Sequence, residues 1–321
     1  MLRQGNRLPT DYLAAAIPHQ IVGTVHIEAE RERSDQLGET RWLTELHAAT
    51  GLPSAIVAHA SFDAPDCAEM LLAHLESPLV RGIRSKPATA ADPAGMRRGQ
   101  PGSMQDEAWL RGFALLEKHG LSWDLRVPYW HLAEAAELAR AFPGTAIVLN
   151  HTGLPWDRTP TGVAAWRGGL EQLAACPNVW IKISELGLPE GEWTVAGNRD
   201  VVRIAIDTFG IGRCMFGSNW PVSTLRASYT QTVDGLEEIL QVEYSTHSHH
   251  HPTENSVTSA GARNNEDSLA PFHKFALPRS LPRNISAGNC GLGYPPDQGT
   301  RTGRATRGRR AWLAVCRLAA L

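Results

Sequence analysis

The sequence has few cysteines, and none of them lie close together. They are Cys67, Cys176, Cys214, Cys290 and Cys316, an odd number that includes no CxxC pair. Thiolate zinc sites and disulfide frameworks use closely or regularly spaced cysteines. The spacing therefore argues against both kinds of site and indicates a reducing compartment.

The sequence also lacks long apolar runs and a strong charge of either sign. No stretch reaches the roughly 18 apolar residues that a membrane span needs. Residues 1–7 are polar and contain no apolar signal-peptide region. The formal net charge of -2 provides no basic field for nucleic acid. We therefore expect a cytoplasmic protein that binds neither a membrane nor a nucleic acid.

What the sequence does contain is a regular alternation of strand and helix patterns. Hydrophobic residues make up 42% of the chain, enough for a large core. Seven strands are predicted, beginning at Ile21, Ser54, Val80, Leu121, Ala146, Val179 and Arg213. The alternation favours a parallel α/β fold, and a closed barrel over an open sheet. Because a barrel needs eight strands and residues 8–20 read as a helix, we predict a (β/α)8 TIM barrel that lacks its first strand.

The composition changes abruptly near residue 244. Residues 1–244 are predicted to form the barrel, whereas residues 245–321 are rich in Ser, Asn, Gly, Pro and Arg and are predicted to be a disordered tail. Two weaker interpretations are metal binding by the histidines at 247–251 and contact of the arginines at 301–310 with nucleic acid or an acidic partner. A missing strand would leave open sheet edges, so we expect the chain to be either marginally stable or a homo-oligomer.

One short stretch, residues 146–155, predicts the centre of the site. Its four apolar residues follow the helix stop at Pro143 and Gly144, and the run ends in Asn150 and His151. A parallel strand buried on both faces reads as such an apolar run, and catalytic residues of barrels follow the strands. His151 is thus a candidate catalytic residue, and the alternative is a loop histidine that binds a backbone carbonyl.

Other polar residues stand at or near the ends of predicted strands. Arg84 and Arg126 are candidates to hold a substrate carboxylate with two parallel hydrogen bonds. Asp124 and Lys182 are further candidates for substrate binding, although Asp124 could equally be the structural partner of one of these arginines. His26 and His59 also end strands, and for both we favour the interpretation of a loop histidine.

An ordered set of motifs resembles the amidohydrolase-related TIM-barrel hydrolases, in the branch that includes L-fuconolactone hydrolase and 2-pyrone-4,6-dicarboxylate lactonase. The motifs are GTVHIEA (23–29), ETRWL (39–43), VRGIR (80–84), WDL (123–125), LNHTG (149–153), KISELG (182–187) and MFGSNWPV (215–222). Each motif alone is weak, but their order and spacing are specific. The resemblance covers about residues 8–240.

The resemblance implies a barrel that hydrolyses a lactone or a related carbonyl substrate. His151 matches the family's histidine after a middle strand, and no residue matches the His-x-His pair of its first strand. Asn219 stands where many relatives have Asp, and we expect it to be catalytic. A neutral amide cannot take a proton from water. Asn219 therefore indicates either a base supplied elsewhere or a different reaction.

The resemblance leaves the cofactor and the activity open. His151 is a candidate ligand for a divalent metal such as zinc, with His26 and Glu28 as conceivable companions, and the alternative is a site without metal. The favoured function is hydrolysis of a small cyclic ester or related carboxylated substrate. The alternatives are an inactive or truncated homologue that binds a small carboxylate or a partner, and a metal-dependent decarboxylase.

Overall fold

The computed structural model describes residues 7–188 and 190–247, and of residues 242–247 it describes the backbone alone. The predicted disordered tail lies, from residue 248 onward, outside the described residues. The predicted domain boundary at residue 244 falls inside the last described helix.

In the described part of the chain, seven parallel strands form one curled sheet in strictly sequential order, from β1 to β7. The strands are β1 (Val25–Ile27), β2 (Ala55–Ala58), β3 (Val80–Ile83), β4 (Ser122–Leu125), β5 (Ile147–Leu149), β6 (Val179–Ile183) and β7 (Cys214–Phe216). Sequential parallel pairing of this kind, with at least one helix between each strand and the next, is that of a TIM barrel. The fold is thus a TIM barrel with one strand fewer, and among the described residues β1 and β7 have one neighbour each.

Nine α-helices occur among the described residues. They are α1 (Pro9–Ala16), α2 (Gln36–Thr50), α3 (Cys67–Leu75), α4 (Glu107–Phe113), α5 (Leu115–His119), α6 (Leu132–Ala141), α7 (Pro160–Ala174), α8 (Val195–Phe209) and α9 (Tyr229–His247). Gly51 ends α2 with φ of +78°, and its N–H donates to the His47 carbonyl at 2.7 Å. No helix among the described residues is both long and apolar enough to cross a membrane.

An aromatic cluster anchors the middle of the sheet to the helix that follows the long loop after β3. Trp109 and Phe113 of α4 stack at 5.3 Å, and Trp123 of β4 meets the Phe113 ring edge to face at 5.1 Å. The Trp123 indole N–H donates to the Ser85 carbonyl at 3.1 Å. Buried aromatic side chains bring a large hydrophobic gain, and this cluster fixes the ends of β3 and β4 relative to each other.

The loop after β3 is held to the start of α6. The Ala90 N–H donates to His131 Nε2 at 2.9 Å, and the Trp130 indole N–H donates to the Ala90 carbonyl at 3.1 Å. From the sequence, Ser103 is predicted to be the N-cap of the helix after this loop, with Asp106 and Glu107 in its first turn, but the helix begins later. Asp106, rather than Ser103, is the N-cap of α4, and its carboxylate accepts the Ala108 N–H.

Candidate active site

The carboxyl ends of the seven strands meet at one edge of the sheet, and four of them continue into a left-handed backbone: that of β1, at Glu30 with φ of +60°, and those of the neighbouring strands β5, β6 and β7. His151 after β5, Glu185 after β6 and Asn219 after β7 have φ values of +57°, +49° and +46°. Residues other than glycine and asparagine adopt this conformation at a cost of about 1 kcal/mol or more each. Because such strain gathers where surrounding structure holds side chains in set positions, these three neighbouring ends are the candidate active site.

Arg84, predicted to bind substrate, is attached to the end of β1. Its Nε donates to Glu28 Oε1 at 2.7 Å, and its Nη2 donates to the Glu28 carbonyl. The Glu28 carboxylate is buried and also lies 3.5 Å from Arg33. His59, read as a loop histidine, has its Nδ1 2.9 Å from the Arg84 carbonyl. Arg84 is therefore held in place by the protein before any ligand arrives.

Asp124 and Lys182, two further candidates for substrate binding, are bound to each other. Asp124 Oδ2 accepts hydrogen bonds from Lys182 Nζ and, at 2.9 Å, from Asn150 Nδ2. The Asp124 carboxylate is buried and the Lys182 ammonium nearly so. The sequence suggested an arginine as the structural partner of Asp124, and the structure gives that place to Lys182.

His151 is buried, with 8% of its surface exposed, and is surrounded by positive charge. Its Nδ1 lies 2.9 Å from the Ser184 hydroxyl. Burial, and then the charges of Arg126, Arg84, Lys182 and Lys86, hold its pKa well below the ordinary value. The imidazole is thus neutral near pH 7. Among residues 7–188 and 190–241, whose side chains the structure describes, its Nε2 has no hydrogen-bond partner.

Among the cations around His151, Arg126 differs from the others because its hydrogen-bond donors have no partner among the described residues. Burial and the nearby charge of Arg84 lower its pKa, and the charges of Glu185 and Glu28 oppose this effect. Arg84, Lys182 and Lys86 each form an ion pair, the last with Glu30. The Arg126 guanidinium, by contrast, forms neither a hydrogen bond nor an ion pair with any side chain that the structure describes. It is therefore free to bind an anion.

Glu185 is a site residue that the sequence reasoning did not select. Asn219 Nδ2 donates a hydrogen bond to Glu185 Oε2. Burial raises the pKa of the Glu185 carboxyl, while the charges of Arg126 and Arg226 act in the opposite direction. The signal was available, because Glu185 lies two residues after β6 just as His151 lies two residues after β5.

The residues that the structure describes do not fit a divalent metal ion. No three His, Cys, Asp or Glu side chains among them converge on a point that could hold one. His26, a conceivable companion of His151, turns to Glu39 at 2.7 Å, and Glu28 is occupied by Arg84. The positive charges that keep His151 neutral would also repel a cation.

The free energy of unfolding should depend on pH through His151. Its pKa is depressed in the folded chain, so below the ordinary value of about 6.5 the unfolded chain binds a proton that the folded chain does not. Stability is then fully present above pH 6.5 and falls as the pH decreases, by up to ~1.4 kcal/mol per pH unit for this group. His59 and His74, whose pKa values burial also lowers, act in the same direction.

The variant His151→Asn isolates this contribution, because asparagine tolerates the left-handed backbone. Urea unfolding between pH 6.5 and 5 should show a smaller loss of stability in the variant than in the wild type. Equal slopes for the two proteins would contradict a neutral, buried His151.

Comparison with known proteins identifies the family. A family model described as amidohydrolase matches residues 1–255. The uncharacterised protein y4mH of Sinorhizobium fredii is 38% identical over 229 residues, which are 71% of this chain and 77% of that protein. An L-fucono-1,5-lactonase of Burkholderia multivorans is 30% identical over 243 residues, which are 72% of this chain and 79% of the lactonase.

A solved structure agrees with this assignment. An amidohydrolase from Burkholderia multivorans, crystallised in one form with zinc and in another with HEPES, superimposes with a TM-score of 0.64 at 27% identity. The superposition covers 74% of this chain and 82% of that one. The family model, these relatives and the solved structure agree, and the chain belongs to the amidohydrolase family.

Proposed function

We propose that this amidohydrolase-family hydrolase opens a small cyclic ester that carries a carboxylate. The observation that carries the proposal is the Arg126 guanidinium, half-buried and without a partner among the described residues, beside the neutral His151. A planar guanidinium binds a carboxylate through two parallel hydrogen bonds. The lactonase relative supports a cyclic ester as the substrate class.

The chemistry needs a donor for the lactone carbonyl as well as an anchor for the carboxylate. If the Ser184 hydroxyl donates to Nδ1 of His151, the ring proton resides on Nε2. Nε2–H is then left to donate to the carbonyl oxygen and to stabilise the oxyanion that forms when water attacks. Arg126 would hold the substrate carboxylate and orient the ring, and Arg84 would contribute positive charge without moving.

A second candidate is a homologue that binds a small carboxylate without turning it over. Asn219 favours this alternative, because its amide cannot take a proton from water. A metal-dependent decarboxylase is less well supported, since the described residues provide no set of metal ligands.

Acid release from a panel of lactones tests the proposal. Five- and six-membered lactones with and without a ring carboxylate are mixed with the protein and a pH indicator. We expect release well above the spontaneous rate for at least one carboxylated lactone. Binding of the carboxylated lactones without release would favour the non-catalytic homologue, and neither binding nor release would contradict both candidates.

A further inference from the structure

Asn219 is in contact with Glu185, whose carboxylate can accept a proton, which the Asn219 amide cannot do. The amide donates from Nδ2 to Glu185 Oε2, so it faces the carboxylate with its donor side. Both residues have a left-handed backbone, which aims the two side chains at each other across the ends of β6 and β7. A carboxylate held in one orientation by an amide is the arrangement of a base and its positioning residue.

We infer that Glu185 is the general base of the proposed hydrolysis and that Asn219 positions its carboxylate. This inference rests on the proposed function, because it assigns the proton acceptor for that reaction.

Elimination among the described carboxylates supports the assignment. Three other carboxylates belong to residues in the strands or within three residues of their carboxyl ends, and each is bound by a cation: Glu28 by Arg84, Asp124 by Lys182 and Glu30 by Lys86. Glu185, by contrast, forms no ion pair with a described residue, and its Oε1 accepts no hydrogen bond from one. Oε1 is thus available to a water molecule.

The surroundings of Glu185 suit a base that works near neutral pH. Its side chain is partly buried, and burial raises the pKa of its carboxyl, whereas Arg126 and Arg226 exert the opposing charge. A carboxylate with a raised pKa takes a proton from water more readily than an ordinary one. His151 suits this role less well, because burial and positive charge make its imidazole a poor proton acceptor.

The step balances without any further reactant. Glu185 Oε1 takes one proton from water, the water oxygen forms a bond to the carbonyl carbon, and the carbonyl electron pair moves to its oxygen. That oxyanion collapses and breaks the bond to the ring oxygen, which leaves as an alkoxide. The alkoxide takes the proton from Glu185, and the product is a hydroxy acid. Its new carboxyl group contains the water oxygen, and its hydroxyl group contains the former ring oxygen.

The variant Glu185→Gln tests the base, since it keeps the shape of the side chain and removes its basicity. Its kcat on the best lactone should fall about 10³-fold with KM little changed. The wild-type rate should fall as the pH decreases through the pKa of Glu185, and this acid limb should be absent from the variant. Sodium formate should partly restore the rate of Glu185→Ala, because a free carboxylate can replace the missing base.

Asn219→Ala tests the positioning role. Loss of the hydrogen bond to the carboxylate should raise the pKa of Glu185, so the acid limb should move to higher pH while KM stays unchanged. Glu192→Gln, an exposed substitution seven residues further along the chain, is the matched control and should leave kcat unchanged.

The outcomes separate this inference from the function on which it rests. If the wild type hydrolyses a lactone and a folded Glu185→Gln keeps its kcat within tenfold, the inference fails and the proposed function stands. If the wild type hydrolyses no lactone of the panel, both fail. Thermal melting shows whether each variant is folded, and formate rescue tests the base even where one variant does not fold.

Discussion

Replacing Arg126 with glutamine should lower kcat/KM on a carboxylated lactone about 100-fold, which corresponds to the ~3 kcal/mol that a charge-assisted hydrogen bond contributes. The guanidinium forms no hydrogen bond or ion pair with a described residue, so its removal breaks neither kind of contact there. The loss should therefore appear mainly as a higher KM, with little change in melting temperature. Arg126→Lys keeps the charge but not the planar fork, and we expect it to recover part of the activity.

Two controls make this result specific. Arg167→Gln removes an exposed arginine of α7 that pairs with Glu171, and it should leave kcat/KM unchanged. Because the Arg126 charge depresses the pKa of His151, Arg126→Gln should also raise that pKa, as NMR titration of the ring would show. A full loss of activity together with an unchanged His151 titration would contradict the placement of the two side chains in one site.

Replacing Asp124 with asparagine should lower the free energy of unfolding by about 3 kcal/mol, because it leaves the ammonium of Lys182 nearly buried without a counter-charge. The hydrogen bond from Asn150 Nδ2 also loses its charged acceptor, the Asp124 carboxylate. This is a large share of the ~5–15 kcal/mol that stabilises a folded domain. Urea unfolding at pH 7 measures the change.

An exposed ion pair provides the comparison for Asp124. Glu171→Gln breaks the pair between Arg167 and Glu171, where solvent screens both charges, and should cost at most about 0.5 kcal/mol. The double variant Asp124→Leu with Lys182→Met removes both charges and should recover much of the stability lost by Asp124→Asn. Equal losses for Asp124→Asn and Glu171→Gln would show that the buried pair does not support the fold.

Much of the fold was predictable because parallel strands buried on both faces leave a plain signal. The apolar run before Asn150 and His151 predicted β5 to within one residue, and Val80 and Val179 are the true starts of β3 and β6. The prediction was poorest at β1, which begins at Val25 rather than Ile21, since residues 21–24 are apolar enough for a strand but do not join the sheet. The start of α4 was misplaced because Ser103 and Asp106 are both good capping residues.

The site was less predictable. The end of a predicted strand indicates that a side chain lies at the edge of the barrel, but it does not indicate which other side chain it binds. The sequence placed Arg84, Asp124, Arg126, His151, Lys182 and Asn219 at one edge of a barrel, and the structure brings them to that edge. Which cation binds which carboxylate depends on side-chain geometry across strands up to 58 residues apart, as between Asp124 and Lys182. Glu185 was passed over because the backbone conformation that turns it toward Asn219 appears only in three dimensions.

The most direct test of this account is the ratio of kcat/KM for a carboxylated lactone to that for the same lactone without its carboxylate, measured on the wild-type protein. A free guanidinium beside a neutral imidazole predicts a ratio of about 100-fold in the wild type, and a ratio near one in Arg126→Gln. A ratio near one in the wild type would contradict the claim that Arg126 binds the substrate carboxylate beside His151.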